Sequence, residues 1–553
     1  MIAVLAKDSE HVVVREFFEL FKTPWEFYRS DREYDVLMCC HGEPPPDKAK
    51  LLLIYGSERR PFDLENGLAI CSQHSNSILL YNGGRIPIYG KCATFDSAGP
   101  HLIADESTRR PAALEIKSGA RKSVRIGFDL FHQVRHLLTI GQPPAHAALP
   151  ALDLHIAVLR DLITGCAIPL VEIPPIPEGY NFIVCLTHDV DHVGVRNHKC
   201  DHTMFGFLYR AIIGSLINLC RGRQTWKQLA RNWAAAFSLP FVHLGLARDF
   251  WFQLDHYLVI EKGLASTFFV IPRKGEPGQD ANGRRRPKRA AKYDVAEIAD
   301  QLHRLQSAGD EIGVHGIDAW RDSAEGRKEH ERISLLTGSA ELGVRMHWLF
   351  FDEQSPAALE NAGFSYDSTV GYNETVGYRG GTSQAFKPLG LDRMLELPMH
   401  IMDTALFYPA HLNLSPKQAS EAVAPLIDNA ARFGGVLTVN WHDRSIAPER
   451  LWDDFYINLL GDLKSRGAWF PTAAQAVGWF RKRRSAVFEA VNCNGEGLQV
   501  KTLLSPENTN SPGLRLRVHK ASTSQHARAT TAVPERGFSE VAFSRSGEIR
   551  IPL

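Results

Sequence analysis

Apolar and polar positions change period along the chain, and three regions follow from the changes. From residue 1 to 175, short apolar runs alternate with amphipathic stretches: IAVLA, then VVVREFFELF, then YDVLMCC and LLLIYG. Runs of strand length between stretches of helical spacing predict a small α/β domain. GFDLFHQVRHLLTI and DLHIAVLRDLI follow as amphipathic helices, and the Pro-rich VEIPPIPEGY (171–180) predicts a linker. In the second region, 176–483, the strand-like runs stop at polar residues. FIVCL ends in Thr187-His188-Asp189, EIGVH ends at His315, VRMHW carries Arg345 and His347, and GGVLTVNWHD reaches His442. After ASTFFVI (265–271) comes a helix with Asp294 as N-cap, Glu297 three residues on, a stripe of Val295, Ile298, Leu302 and Leu305, and Gly309 as its stop. Such alternation predicts parallel strands, in a barrel or an open sheet. In a barrel the carboxyl ends of the strands share the face where catalytic side chains gather. The third region, 484–553, is rich in Ser, Thr, Asn and Gly with short β-like pieces, GLRLRVH and GEIRIPL. It reads as a small β-rich domain or a partly disordered tail.

Composition narrows the picture only slightly. The chain has 553 residues, too many for one ordinary domain. Its 63 Lys+Arg balance 62 Asp+Glu, so no global field favours nucleic acid or membrane. The basic run GRRRPKRAAK (283–292) reads as a solvated loop. Nine scattered cysteines without a CxxC pair fit free thiols in a reducing compartment. MIAVLAKDSE lacks the features of a secretory leader, and no apolar run reads as long enough to cross a bilayer. The expectation is a cytoplasmic protein, at most peripheral to a membrane, with its oligomeric state open.

The candidate chemistry sits at the strand ends. Asp189 and Asp191 are two apart on an extended segment, so both carboxylates point to one side. One can hold a metal while the other acts as a base. With His315, His347 and His442, four strand ends supply a mixed nitrogen and oxygen set for a divalent ion with an open position for water. His192, His198, Cys200 and His202 form a second polar cluster whose spacing fits no standard zinc finger. It reads as a polar loop over the barrel mouth.

Over 181–480 the order of these motifs resembles the polysaccharide deacetylase family, carbohydrate esterases that share the nodulation-protein deacetylase domain, in the branch beginning with THDVD. The resemblance implies a distorted (β/α) barrel of about seven strands. It implies Asp189 as general base, Asp191 and His315 as metal ligands and His442 as general acid. VRMHW resembles the third motif, where Arg345 would hold Asp189 charged. FSYDSTVGYN resembles the fourth, where Asp367 would orient His442 or the arginine. The family's second motif has a further histidine where this chain has Ala319. His347 can supply the missing nitrogen, and Asp318 can instead supply an oxygen. GYRGGTSQAF (377–386) is similar to a segment of the same branch and would be a substrate loop, with Arg379 for a sugar hydroxyl or an anion. Trp320 and Trp348, near the expected mouth, read either as rings that stack on a sugar or as ordinary packing residues.

The implied function is a hydrolase dependent on a divalent metal, Zn2+ by preference, that removes N-acetyl or O-acetyl groups from a polysaccharide or a lipid-linked precursor in exopolysaccharide or envelope synthesis. Its partner is a carbohydrate substrate, with no nucleic acid and no transmembrane segment. Two rival readings stand beside it: a C–N hydrolase of a small amide or cyclic imide on the same barrel, and a catalytically silent carbohydrate-binding or assembly protein.

Overall fold

A computed structural model describes residues 1–45, 49–96, 101–118, 121–494, 497–505, 511–520 and 537–551. The chain forms two compact units. One joins Met1–Gly179, Gly380–Gly390 and Gly478–Leu553, and the other joins Tyr180–Arg379 and Leu391–Val477.

The second unit is built on nine parallel strands. Phe182–Val190 is buried along its whole length, as expected of an apolar run covered on both faces. It pairs with Ser266–Val270 on one side and Val436–Asn440 on the other, and the short Ala468–Trp469 strand joins its start. From Ser266–Val270 the order continues through Glu311–Gly316, Gly343–Met346 and Tyr366–Asp367 to Leu395–Glu396, while Ile401–Met402 lies beyond Val436–Asn440. The two edge strands are thus Leu395–Glu396 and Ile401–Met402, separated by only four residues of chain. A flat eight-strand sheet would hold its edges about 34 Å apart. The Cα steps from Glu396 to Ile401 reach only about 18 Å. The sheet must therefore curl into a barrel, and the connector closes it: Leu397 N donates to Asp367 O, Met399 N to Val370 O and His400 N to Thr438 O. The seven strands implied by the resemblance become nine because short edge strands join the ladder. The expected helix after residue 294 is found as a 3-10 turn, Val295–Ile298, leading into Ala299–Ala308, with Asp294 capping Ala296 N and Gly309 ending it at φ 99°.

The first unit alternates strand and helix at its start. Ile2–Leu5 lies between Trp25–Phe27 and Val36–Cys39, and Leu51–Tyr55 follows, all parallel. Arg121–Ile126 extends this sheet in parallel, and an antiparallel meander completes it. Val171 and Glu172, expected in a linker, lie instead in the strand Leu170–Glu172, which pairs antiparallel with Leu514–His519. Val487–Asn494, Gly497–Leu503 and Gly547–Ile551 form a separate three-stranded sheet. Pro552 and Leu553, at the end of the GEIRIPL piece, lie outside the described residues.

One expectation about apolar runs is corrected. The helical stretch His202–Cys220 has 19 residues and is, by length and composition, apolar enough to cross a membrane. Arg210 interrupts the apolar run in the sequence without interrupting the helix.

Candidate active site

Alternation along Phe182–Val190 sorts the residues of THDVD. Thr187 and Asp189 face inward, where Arg345 Nη1 meets Thr187 Oγ1 at 2.7 Å and Asp189 Oδ1 at 3.0 Å. His188 faces the other way, into a buried pocket with Tyr257 and Phe268. Its Nδ1 lies 2.7 Å from Trp441 O and its Nε2 3.0 Å from Glu261 Oε1. His188 is thus a core residue, and the carboxylates are the ones that reach the mouth.

Asp189 is almost wholly buried, and Asn440 Nδ2 donates to its Oδ2 at 2.8 Å. Burial alone would raise this carboxyl, but the Arg345 guanidinium, with His315 and His442 behind it, prevails and holds it below the usual carboxylate range. Arg345 is fixed in turn by Ser368 O, Ser368 Oγ and the ring of Phe269. Its charge cannot turn away.

One ligand atom each from Asp191, His315 and His347 lies within 4.8 Å of the others. Asp191 Oδ1 is buried without a well-directed hydrogen bond, facing His315 Nε2 at 3.3 Å and His347 Nε2 at 3.5 Å. His315 Nδ1 lies 2.9 Å from the Arg345 carbonyl, which can only accept. Nδ1 therefore donates there, and Nε2 is the ring nitrogen that faces Asp191 and would ligate an ion. Burial pushes His347 down to about 3, so its imidazole is neutral near pH 7. Two imidazole nitrogens and one carboxylate oxygen converging in this way fit a divalent cation. Asp318 is elsewhere: its Oδ1 accepts from Gln279 N at 3.0 Å, and its own amide donates to Glu329.

His442 faces the same centre, with Nε2 3.9 Å from Asp191 Oδ2. Its Nδ1 lies 2.6 Å from Asp403 Oδ1, and its backbone N donates to Asp403 Oδ2 at 2.7 Å. Burial disfavours its charge, but Asp403, followed by Asp191 and Asp189, overcomes this and raises the imidazole to about 9. A protonated Nε2 thus points into the cavity. The neighbouring Asp443 is pushed up to about 7 by burial and by Asp191.

These groups line a cavity of about 490 Å³, with Trp348, Asn373, Tyr408, His411 and Arg450 among its walls. Trp348 is 42% exposed at the mouth, and it and Leu349 hold left-handed backbone, φ 65° and 53°. Non-glycine residues adopt this conformation only under constraint, here at the exit of the strand that delivers His347. Arg289, the one buried cation of the basic run, donates to the His347 and Ile317 carbonyls at 3.0 Å and lies over Phe350. Most of that run is solvated, as expected, but this arginine braces the site.

Other residues marked from the sequence lie off the cavity. Trp320 is buried and packs edge-on against Phe350. Arg379 is exposed, and its Nη1 donates to Gly371 O. Asp367 takes the Thr369 hydroxyl and is raised to about 6 by burial, beside Glu396. The ring of His442 is held by Asp403, not by Asp367. His192 lines the cavity and meets His198, which binds Asp201, whereas Cys200 and His202 are exposed. Asp403, Asn440 and Asp443 were not marked from the sequence. The signal for Asn440 and Asp443 was their position beside His442 at the end of an apolar strand. Asp403, after a two-residue strand, had none.

No family model and no curated protein matches the sequence. Among solved structures, the chain is similar to a putative polysaccharide deacetylase from Mycobacterium smegmatis, with 18% identity and a TM-score of 0.33, over 56% of this chain and 95% of that one. It is similar to Puue allantoinase with 14% identity and a TM-score of 0.34, over 55% of this chain and 91% of that one. It is also similar to a mutant of a CE4 family pseudoenzyme with restored enzymatic activity, with 11% identity and a TM-score of 0.26, over 55% and 70%. Likeness at this level carries no argument about chemistry.

Proposed function

We propose that this chain is a metal-dependent hydrolase that removes acetyl groups from an N-acetylated carbohydrate, as polysaccharide deacetylases do. The observation that carries the reading is the convergence of Asp191, His315 and His347 between an ionised carboxylate, Asp189, and a protonated imidazole, His442. Those first three residues would hold the ion, and Zn2+ suits their mixed nitrogen and oxygen donors. When bound, such an ion lowers the pKa of a water molecule and polarises the acetyl carbonyl. Asp189 takes the water proton, at the carboxylate that Arg345 and Asn440 keep oriented and charged. The water oxygen bonds to the carbonyl carbon, the C–N bond breaks, and His442 Nε2 gives its proton to the leaving amine. Asp403 keeps the imidazole charged and its ring fixed. Trp348 offers an exposed ring face for a sugar at the mouth. The substrate is a polysaccharide or a lipid-linked precursor of one.

The test joins metal analysis to acetate release from N-acetylglucosamine oligomers. Purified protein should carry about one zinc per chain. The zinc should be lost in Asp191→Ala, His315→Ala and His347→Ala and kept in Asp318→Ala. Asp189→Asn should keep the metal and release no acetate. A wild type that binds no metal after reconstitution, or that binds it and cleaves only small cyclic imides, sinks the reading.

A further inference from the structure

The helical stretch His202–Cys220 and the helix Trp226–His243 form a hairpin that is apolar on two sides. The inner side of the first buries Met204, Phe207 and Ala211. Its outer side exposes Phe205, Tyr209, Ile212, Ile213, Leu216 and Ile217, at steps of three and four residues. The second helix buries Leu229, Ala235, Ala236, Leu239 and Val242. It exposes Trp226 (74%), Trp233, Phe237 (71%) and Phe241, and Leu244 (72%) continues the stripe. Trp233 Nε1 donates to Ile212 O, so the two stripes meet in one surface. An apolar face of this extent marks a contact with something else.

The charges identify the partner. From His202 to Arg248 the chain carries Arg210, Arg221, Arg223, Lys227, Arg231 and Arg248 and no Asp or Glu, although the whole chain is balanced. Arg210 and Arg231 are taken up by Glu449 and Asp453 from another part of the chain, and exposed aromatic rings beside the other four cations match the interface of an anionic bilayer. The hairpin is held too firmly to the protein to span one. Arg210 Nε, midway along the first helix, lies 3.0 Å from Glu449 Oε2, and Asn232 of the second accepts from Glu449 N at 2.7 Å. A spanning helix would carry this ion pair into hydrocarbon.

We propose that the 202–246 hairpin docks the protein on an anionic membrane surface, lying along the headgroups with the rings of Trp226, Phe237 and Phe241 inserted. The hairpin turn, with Gly222, Arg223 and Thr225, lines a cavity of about 760 Å³ whose wall includes Arg450. Arg450 also lines the candidate active site, so the cavity at the hairpin turn adjoins it. The docking does not depend on what the site hydrolyses.

The test is flotation of the full chain with phosphatidylcholine vesicles, alone or with about 30% phosphatidylglycerol. The chain should float with the anionic vesicles at least about tenfold more than with neutral ones, and be largely released at about 0.5 M salt. Phe237→Ser/Phe241→Ser should lower that binding about tenfold with an unchanged melting temperature. Absence of flotation overturns the proposal, as does equal flotation of wild type and variant. A wild type that is a dimer, turns monomeric in the variant and does not float would assign the face to a second copy and overturn it too.

Discussion

His442 is only as useful as Asp403 makes it. A lone buried imidazole would shed its proton, yet this one is raised to about 9 because Asp403 grips both its Nδ1 and its backbone amide. The sign follows directly. A histidine whose folded pKa lies above its ordinary 6.5 stabilises the fold fully below that value, and the contribution is lost as pH rises through about 9. Asp403→Asn should move the His442 titration down toward 6.5, read by histidine NMR of the metal-free protein. It should also cut kcat more than it changes KM, with the alkaline limb of the rate profile moving the same way. A His442 titration unchanged in Asp403→Asn would mean that the other carboxylates suffice. Asp189 shows the opposite case, a carboxylate kept ionised inside the protein because Arg345 is itself immobilised by Ser368 and Phe269. The motif THDVD was legible as chemistry because alternation alone puts both aspartates on one side. That His188 belongs to the core was not, since its partners, Glu261 and Trp441, lie far away in sequence.

Among the elements, the strand Gly343–Met346 carries the most consequence for the site. It holds Arg345 and delivers His347, and it pairs in register Gly343 to Tyr366. A Cβ on Gly343 would come within 1.9 Å of the Tyr366 ring, whose hydroxyl donates to Glu311 Oε1 at 2.7 Å. Gly343→Ala should therefore displace a buried ring, break that bond and cost about 1–3 kcal/mol, measured by urea unfolding. Because the same strand aims His347, zinc affinity should fall as well. Stability and affinity equal to wild type would show that the ring can move freely. The basic run 283–292 shows why elements are hard to judge from composition: its other cations are exposed, yet Arg289 is buried against the carbonyl of His347. Nothing local distinguishes it from Arg286, which pairs with Asp280 at the surface.

For the whole molecule, the chain's late strands complete early ones. Leu514–His519 pairs with Leu170–Glu172, and Glu172 is 1% exposed. Burial would raise its carboxyl, but Arg160, His519 and Arg517 outweigh this and hold it far below the usual range. A depressed carboxylate stabilises the fold above its ordinary pKa and loses that contribution as pH falls. A chain ending at Arg484 would strip Glu172 of His519 and Arg517 and leave it with Arg160 and Arg483. It should lose about 1–3 kcal/mol, read as a lower urea midpoint at pH 7. An unchanged midpoint would show those strands to be dispensable. By itself the sequence determined what periodicity and adjacency can carry: parallel strands alternating with helices, polar residues at their carboxyl ends, Asp189 and Asp191 on one side, the cap at Asp294. Tertiary structure decided what depends on which strand ends become neighbours. It brought His347, and not Asp318, to Asp191 and His315, set Asp403 behind His442 and brought Asn440 to Asp189 across 251 positions of chain. It also left one face of the 202–246 hairpin uncovered. The reason is physical: a repeat of two or three to four residues is written locally, whereas the closure of a barrel by a four-residue connector fixes distances between residues that no local pattern relates.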